Sequence, residues 1–116
     1  MEDWKQDRLA SALDGTNPTL VTKMKSGLVV LGDSQLLPGY CILIAYPKVK
    51  CLNDLDVQQR ADFLVDMSLI GDAIQHVCSP AKINYEILIN AADLLHAHIV
   101  PRYEWEPEEH RNMPIW

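Results

Sequence analysis

The fold of this chain is decided by the stretch Leu94-Leu95-His96-Ala97-His98-Ile99-Val100-Pro101-Arg102-Tyr103. Apolar residues surround two histidines, and this composition favours an extended strand. Because residues i and i+2 of a strand share a face, His96 and His98 are expected to project from one face, and the apolar residues beside them from the other. Pro101 has no amide hydrogen to donate to a sheet ladder, so the strand is expected to leave the sheet there.

Two imidazoles on one face suit phosphate chemistry. Nucleotidyl transfer needs an uncharged nucleophile, donors for the phosphate oxygens and a partner for the leaving group. A neutral imidazole meets the first need because its free pKa lies near neutral pH, and a second imidazole meets the third. Two other interpretations stay open at this point: the polar face of a half-exposed strand, and a metal site of H-x-H type. A metal site needs a third ligand, and the nearest candidate is His110 in an irregular tail, so no metal or other cofactor is expected.

Length and composition predict one globular domain that spans residues 1–116, with 48% hydrophobic and 22% charged residues. The longest apolar run, Tyr40–Tyr46, is too short to cross a bilayer. Three cysteines without C-x-x-C spacing and an N-terminus without a signal-peptide pattern favour the cytoplasm. The net charge of −6 argues against a nucleic-acid partner.

The order of the predicted elements indicates an α+β fold, an antiparallel sheet with one long helix on one face. Residues 1–20 are expected to hold a short helix (4–13) and a turn, and residues 104–116 an irregular tail anchored by Trp105, Ile115 and Trp116. The long helix is expected to begin at the capping box Asp56-Val57-Gln58-Gln59 and to end before Pro80. Its predicted core stripe is Phe63, Met67, Ile70, Ala73 or Ile74, and Val77. Strands are predicted at 20–24, 28–31, 40–46 and 83–89, and residues 90–93 connect the last of these to the histidine strand in a hairpin.

Three further residues are candidates for binding a phosphorylated ligand. Asp33 follows a strand and is placed to accept hydrogen bonds from a ribose diol, whereas Asn90 is a candidate for phosphate oxygens. Both residue types are also common in turns, and that interpretation stays open. Arg102, at the end of the histidine strand, binds either a phosphate or the acidic tail.

Five blocks in fixed order carry a resemblance to a known family. They are Gly32-Asp33-Ser34-Gln35, Pro38-Gly39-Tyr40-Cys41-Ile42-Leu43, Pro47-Lys48, Lys82-Ile83-Asn84-Tyr85 and the stretch from Leu95 to Tyr103. Together they resemble a histidine-triad (HIT) protein of the bacterial, diadenosine-tetraphosphate hydrolase-like branch. The resemblance covers about residues 27 to 105.

The resemblance implies a two-layer α+β fold, a homodimer, and a nucleotide bound against the histidine strand. It further implies a hydrolase that forms a nucleotidyl-histidine at the α-phosphate of a dinucleoside polyphosphate or nucleoside phosphoramidate. The nucleophile falls on His96 and the third triad histidine on His98. The ribose-binding acid falls on Asp33 and the phosphate-side amide on Asn90.

The chain also departs from the family pattern. The first triad position is Leu94, Ile89 replaces a glycine, and the Gly-rich loop is shortened to Ala91-Ala92-Asp93. A backbone carbonyl at Leu94 is expected to hold the His96 tautomer in place of the missing side chain. The departures at Leu94 and Ile89 keep one rival open, a nucleotide-binding module with little turnover. A weaker rival is a metal-binding protein that uses His96 and His98.

Overall fold

Five antiparallel strands form one sheet in a computed structural model that describes residues 3–115. The strands are β1 (Leu20–Lys23), β2 (Gly27–Leu31), β3 (Cys41–Ala45), β4 (Lys82–Glu86) and β5 (His96–Arg102), in the spatial order β1-β2-β3-β5-β4. The helices are α1 (Arg8–Asp14), α2 (Val57–Cys78) and α3 (Glu108–Arg111), with single 3₁₀ turns at Asp3–Lys5 and Leu52–Asp54. The predicted α+β class is confirmed.

The long helix α2 begins at the predicted capping box. The Gln59 amide donates to the Asp56 carboxylate at 2.8 Å, and the Asp56 amide donates to the Gln59 side chain at 3.0 Å. The core face is formed by Phe63, Met67, Ile70 and Ile74, as predicted. The prediction for Val77 is wrong, because the next inward position is taken by Cys78, four residues after Ile74, and Val77 is 77% exposed.

Helices pack on both faces of the sheet. The face under α2 contains Leu43, Ala97 and Ile99, which are fully buried. On the opposite face, Leu9 and Ala12 of α1 pack against β2 and β3. The short helix α1 therefore lies on the face from which the histidines project, a placement that the sequence did not predict.

The prediction that the strand leaves the sheet at Pro101 is wrong, because β5 continues to Arg102. The pairing with β3 stops at Ile99, whereas the pairing with β4 includes Pro101 opposite Ile83. The Arg102 carbonyl accepts from the Ala81 amide on the β4 side, so the Pro101 nitrogen faces the side where β3 has ended. The missing amide hydrogen of Pro101 is tolerated because no β3 residue lies opposite it to accept a hydrogen bond.

The connection from β4 to β5 is longer than predicted and covers residues 87–95. The Leu95 amide donates to the Val49 carbonyl at 2.8 Å, and the Leu95 carbonyl accepts from Ala45 at 3.1 Å. These bonds draw the chain toward β3 just before β5 begins.

The predicted irregular tail contains the one-turn helix α3. The predicted anchor Trp105 is 61% exposed and stacks on Tyr103, and Ile115 is partly buried. Trp116 lies outside the described residues. No described helix has the length and apolar character that a membrane span requires.

Candidate active site

His96 and His98 project side by side from one face of β5. Their ring centroids lie 5.0 Å apart, and the rings are nearly perpendicular at 76°. Ala97 and Ile99 are fully buried on the other face. The predicted alternation along the strand is therefore confirmed, and the two imidazoles are held within reach of one small ligand.

The histidines border a cavity of about 400 Å³ on the face of the sheet that carries α1. Its apolar floor comes from β2 and β3, and polar side chains stand around it. The lining residues are Arg8, Val30, Asp33, Ser34, Tyr40, Ile42, Ile44, Ala92, Leu94, His96 and His98. We refer to this space as the histidine cavity. An apolar floor with a few convergent polar groups is typical of a small-molecule site.

The tautomer of His96 is fixed by the backbone. Its Nδ1 lies 2.7 Å from the carbonyl oxygen of Leu94. A carbonyl oxygen only accepts hydrogen bonds, so Nδ1 carries the hydrogen and Nε2 of the neutral ring keeps its lone pair. The prediction that the Leu94 carbonyl replaces a side chain in this role is confirmed. In this tautomer the Nε2 lone pair of His96 is available, as a nucleophilic imidazole requires.

His98 is held in its neutral form. Burial and, secondarily, the neighbouring His96 lower the pKa of His98 to about 4. The Tyr40 hydroxyl lies 2.6 Å from Nδ1 of His98, and burial, Asp33 and Glu86 raise the pKa of Tyr40 to about 12. Both groups therefore lack charge at neutral pH. Sequence reasoning gave Tyr40 no role, although the tyrosine lies in one of the blocks that carry the resemblance.

The depressed pKa of His98 predicts an acid-dependent loss of stability. Between its usual value of 6.5 and the folded value of about 4, the unfolded chain binds more protons at this residue than the folded protein does. The free energy of unfolding should therefore fall as the pH drops from 7 to 4, by about 1–2 kcal/mol after allowance for solvent screening at a half-buried group.

Urea unfolding of the natural protein and of a His98→Asn variant, measured from pH 4 to 7, would isolate this contribution. Asparagine does not titrate, so the difference between the two stabilities should change with pH. Parallel pH profiles for the two proteins would contradict the assignment.

Asp33 lies in the histidine cavity, as predicted, and it is paired with Arg8. The guanidinium donates to the two carboxylate oxygens at 2.5 and 2.6 Å. These bonds lower the pKa of Asp33, so the carboxylate stays ionised. The carbon of the guanidinium also lies 5.3 Å from the centre of the Trp4 ring. Sequence reasoning missed Arg8, because 25 residues separate it from Asp33.

Asn90 and Arg102 are not brought to this cavity. Asn90 is exposed in the 87–95 connection, and the residues of that connection that line the cavity are Ala92 and Leu94. Arg102 is buried and donates to Glu106, to Asn84 at 2.9 Å, and to the carbonyls of Met113 and His110 at 2.6 and 2.8 Å. The guanidinium therefore holds the acidic tail, the alternative that the sequence had left open.

The described residues do not offer a third ligand beside the histidine pair. Within residues 3–115, no three His, Cys, Asp or Glu side chains lie together as a metal site would require. The interpretation of His96 and His98 as a metal site gains no support from this arrangement.

The architecture is similar to that of solved histidine-triad proteins. A histidine triad protein from Marinobacter aquaeolei VT8 has a TM-score of 0.74 at 21% identity, with 95% of this chain and 75% of that chain covered. A HIT family protein from Bacillus anthracis has a TM-score of 0.72 at 20% identity, with 91% and 77% covered. A Plasmodium falciparum diadenosine triphosphate hydrolase, solved in complex with Cyclomarin A, has a TM-score of 0.68 at 22% identity, with 76% and 63% covered.

Two comparisons of the sequence found no match. No protein-family profile matches the chain, and no curated protein matches it. At about one identical residue in five, the structural likeness establishes the fold.

Proposed function

We propose, on the premise that this chain has the histidine-triad fold, that it is a nucleotide hydrolase or nucleotidyl transferase acting at an α-phosphate. The observation that carries the proposal is the bond from Nδ1 of His96 to the Leu94 carbonyl, which gives Nε2 its lone pair beside the histidine cavity. The diadenosine triphosphate hydrolase of the same fold supports a nucleotide as the substrate.

The proposed reaction has two steps. Nε2 of His96 attacks the α-phosphorus, the bond from phosphorus to the leaving group breaks, and the leaving atom takes the bonding pair and a proton from protonated His98 or from solvent. Water then attacks the phosphorus of the nucleotidyl-histidine, releases a nucleoside monophosphate and restores neutral His96. His98 hydrogen-bonds the bridging atom during departure. The negative phosphate beside it raises its pKa toward that of a proton donor.

The nucleoside is assigned to the side of the histidine cavity that Asp33 borders. Each carboxylate oxygen accepts one bond from Arg8 and keeps a further lone pair for a ribose hydroxyl. The apolar floor from β2 and β3 accommodates the base or sugar. The substrate class is a dinucleoside polyphosphate or a nucleoside phosphoramidate.

The second candidate is a nucleotide-binding module with little turnover. Two observations favour it: the first triad position is Leu94, and Asn90, the candidate for the phosphate oxygens, does not line the cavity. This candidate predicts AMP binding without measurable product.

A turnover screen tests the proposal against its rival. The purified chain is incubated with diadenosine tetraphosphate, diadenosine triphosphate and adenosine 5′-phosphoramidate, and the products are identified by mass spectrometry. Release of AMP supports the hydrolase. AMP binding with no product from any of the three substrates supports the binding module.

The proposed roles of Asp33 and Asn90 separate in a binding experiment. Asp33→Ala should weaken adenosine and AMP alike, because it removes the acceptor for the ribose. Asn90→Ala should weaken AMP alone if the asparagine reaches the phosphate once a ligand is bound. Calorimetric titration of both ligands into both variants checks this, and equal losses for adenosine and AMP in both variants would contradict the two assignments.

A homodimer is proposed from the surface that α2 leaves uncovered. Leu64, Val65 and Leu69 are 47%, 54% and 48% exposed, and Tyr85 on the edge strand β4 is 47% exposed. These apolar side chains offer a self-complementary interface. Sedimentation equilibrium at micromolar concentration should therefore give twice the chain mass, and Leu69→Glu should return it to the monomer mass. A monomer throughout would refute the dimer. The cytoplasmic location stays a prediction.

A further inference from the structure

Glu86 projects from the same face of the sheet as the catalytic pair. It is the cross-strand partner of His98 in the β4–β5 ladder. Directly opposed residues of an antiparallel pair point to the same face with Cβ atoms about 5 Å apart. The charge of Glu86 also raises the pKa of Tyr40, the tyrosine bonded to His98. The carboxylate therefore lies close to the reacting centre on the β4 side.

One oxygen of this carboxylate lacks a partner. Oε2 of Glu86 is buried and makes no hydrogen bond among the described residues. A buried acceptor without a donor destabilises the folded protein, and a charged one does so more strongly. The charge of this carboxylate is therefore poorly compensated by the protein, and a cationic group of a ligand nearby would stabilise it.

Glu86 also borders a second cavity, of about 480 Å³, formed by β4 and the tail. Its lining residues are Lys82, Ile83, Asn84, Tyr85, Glu86, Arg102, Arg111, Asn112, Met113 and Pro114. The sheet order places β3 and the histidine cavity on one side of β5, and β4 with this second cavity on the other. A substrate whose nucleoside occupies the first cavity has the second one available for its leaving group.

The charged side chains that line the second cavity lie at different distances from His98. Lys82 lies four residues from Glu86 along β4, about 13 Å away at the usual strand rise. The Arg102 guanidinium is bonded to Glu106, and a nitrogen of Arg111 lies 3.8 Å from a Glu104 oxygen. The charge nearest to His98 from β4 is therefore the negative one of Glu86.

We propose that Glu86 selects a leaving group that carries a protonated amine. This inference rests on the proposed function and narrows it. The substrates are nucleoside 5′-phosphoramidates with a cationic amine as leaving group, and dinucleoside polyphosphates are disfavoured. An ammonium group is attracted to the Glu86 carboxylate and offers it a donor, whereas a polyphosphate brings further negative charge toward that carboxylate.

The chemistry of the reacting bond is the same as in the proposed function. The P–N bond breaks, its electron pair stays on the departing nitrogen, and that nitrogen takes a proton from His98 or from solvent. The amine leaves, and the nucleotide remains on His96 until water releases it. Glu86 takes no part in these transfers. It binds the distal ammonium of the amine and so acts on selectivity.

The test compares two substrates that differ in one group. Both are adenosine 5′-phosphoramidates, one of 1,4-diaminobutane with a free terminal ammonium and one of n-pentylamine with a terminal methyl. The natural protein should show a kcat/KM higher by about 10- to 100-fold for the ammonium substrate, the range of one charge-assisted hydrogen bond. In Glu86→Gln the two values should agree within about threefold, and hydrolysis of diadenosine tetraphosphate should rise.

Two further variants make the result decisive. Glu109→Gln removes an equal charge from a side chain that is 76% exposed on α3, and it should keep the natural preference. Glu86→Asp retains the negative charge and should keep part of the preference for the ammonium substrate. It replaces Glu86→Gln as the test if that variant does not fold. Unchanged AMP affinity is the criterion of folding for each variant.

The outcomes separate the two levels of inference. An active protein that shows no preference for the ammonium substrate, or a Glu86→Gln variant that keeps it, overturns the role of Glu86 and leaves the hydrolase standing. A natural protein that releases no AMP from any of these substrates overturns the proposed function, and the selectivity with it.

Discussion

Replacing His96 by alanine is expected to abolish turnover and leave AMP binding nearly unchanged. The variant loses the nitrogen that the proposed reaction uses as nucleophile and with it the covalent route, whereas the Arg8–Asp33 pair and the apolar floor of the cavity remain. Acid quenching of the natural protein with substrate labelled in the adenosine should trap a nucleotide on His96. The variant should carry no label.

His98→Ala is the matched comparison. Nε2 of His96 is still present there, so attack proceeds and departure of the leaving group slows. Proton-transfer assistance is typically worth about 10²–10⁴-fold, so the His98 variant should keep measurable activity. Equal, modest losses in both variants with no trapped label would mean that neither histidine is a nucleophile, and the chain would then be a binding module.

Replacing Arg102 by alanine is expected to cost about 3–5 kcal/mol of folding free energy, the largest stability effect of any single change considered for this protein. Arg102 is 6% exposed, and its guanidinium donates hydrogen bonds to Glu106, Asn84 and two tail carbonyls. Its removal leaves the Glu106 carboxylate buried without its cation. Chemical denaturation, followed by circular dichroism, measures the loss.

Two controls define the origin of that cost. Arg111→Ala removes an exposed arginine nearby and should change stability by less than about 0.5 kcal/mol. The double change Arg102→Met with Glu106→Leu removes both charges and should be less destabilising than Arg102→Ala alone. An Arg102→Ala protein as stable as the natural one would show that the pair contributes nothing to folding.

The main features of the fold were predictable because they are encoded locally. Alternation along the histidine strand follows from the two-residue period of a strand, and the start of α2 follows from two side chains three residues apart. The same period places Val100 and Arg102 on the histidine face as well. It does not show that two tail carbonyls, eight and eleven residues further on, accept bonds from the guanidinium.

The site was only partly predictable because its remaining members come from distant parts of the chain. Arg8 reaches Asp33 only because α1 packs on the histidine face, and a seven-residue helix gives no sequence signal for the face it will cover. Glu86 lies opposite His98 only in one register of the β4–β5 ladder. A shift by one residue would have turned Glu86 away, and the turn residues did not fix that register because the connection is nine residues long rather than four.

The position of β5 within the sheet has a consequence for folding kinetics. It is the last strand of the chain, yet it lies between β3 and β4 in the sheet. Fifty residues separate the end of β3 from the start of β5. Pairing over such a sequence separation requires closure of a long loop before any contact is gained, which slows folding relative to a meander of hairpins. Until β5 arrives, the edge of β3 is open. Insertion of the histidine strand therefore closes the sheet and completes the histidine cavity in the same step.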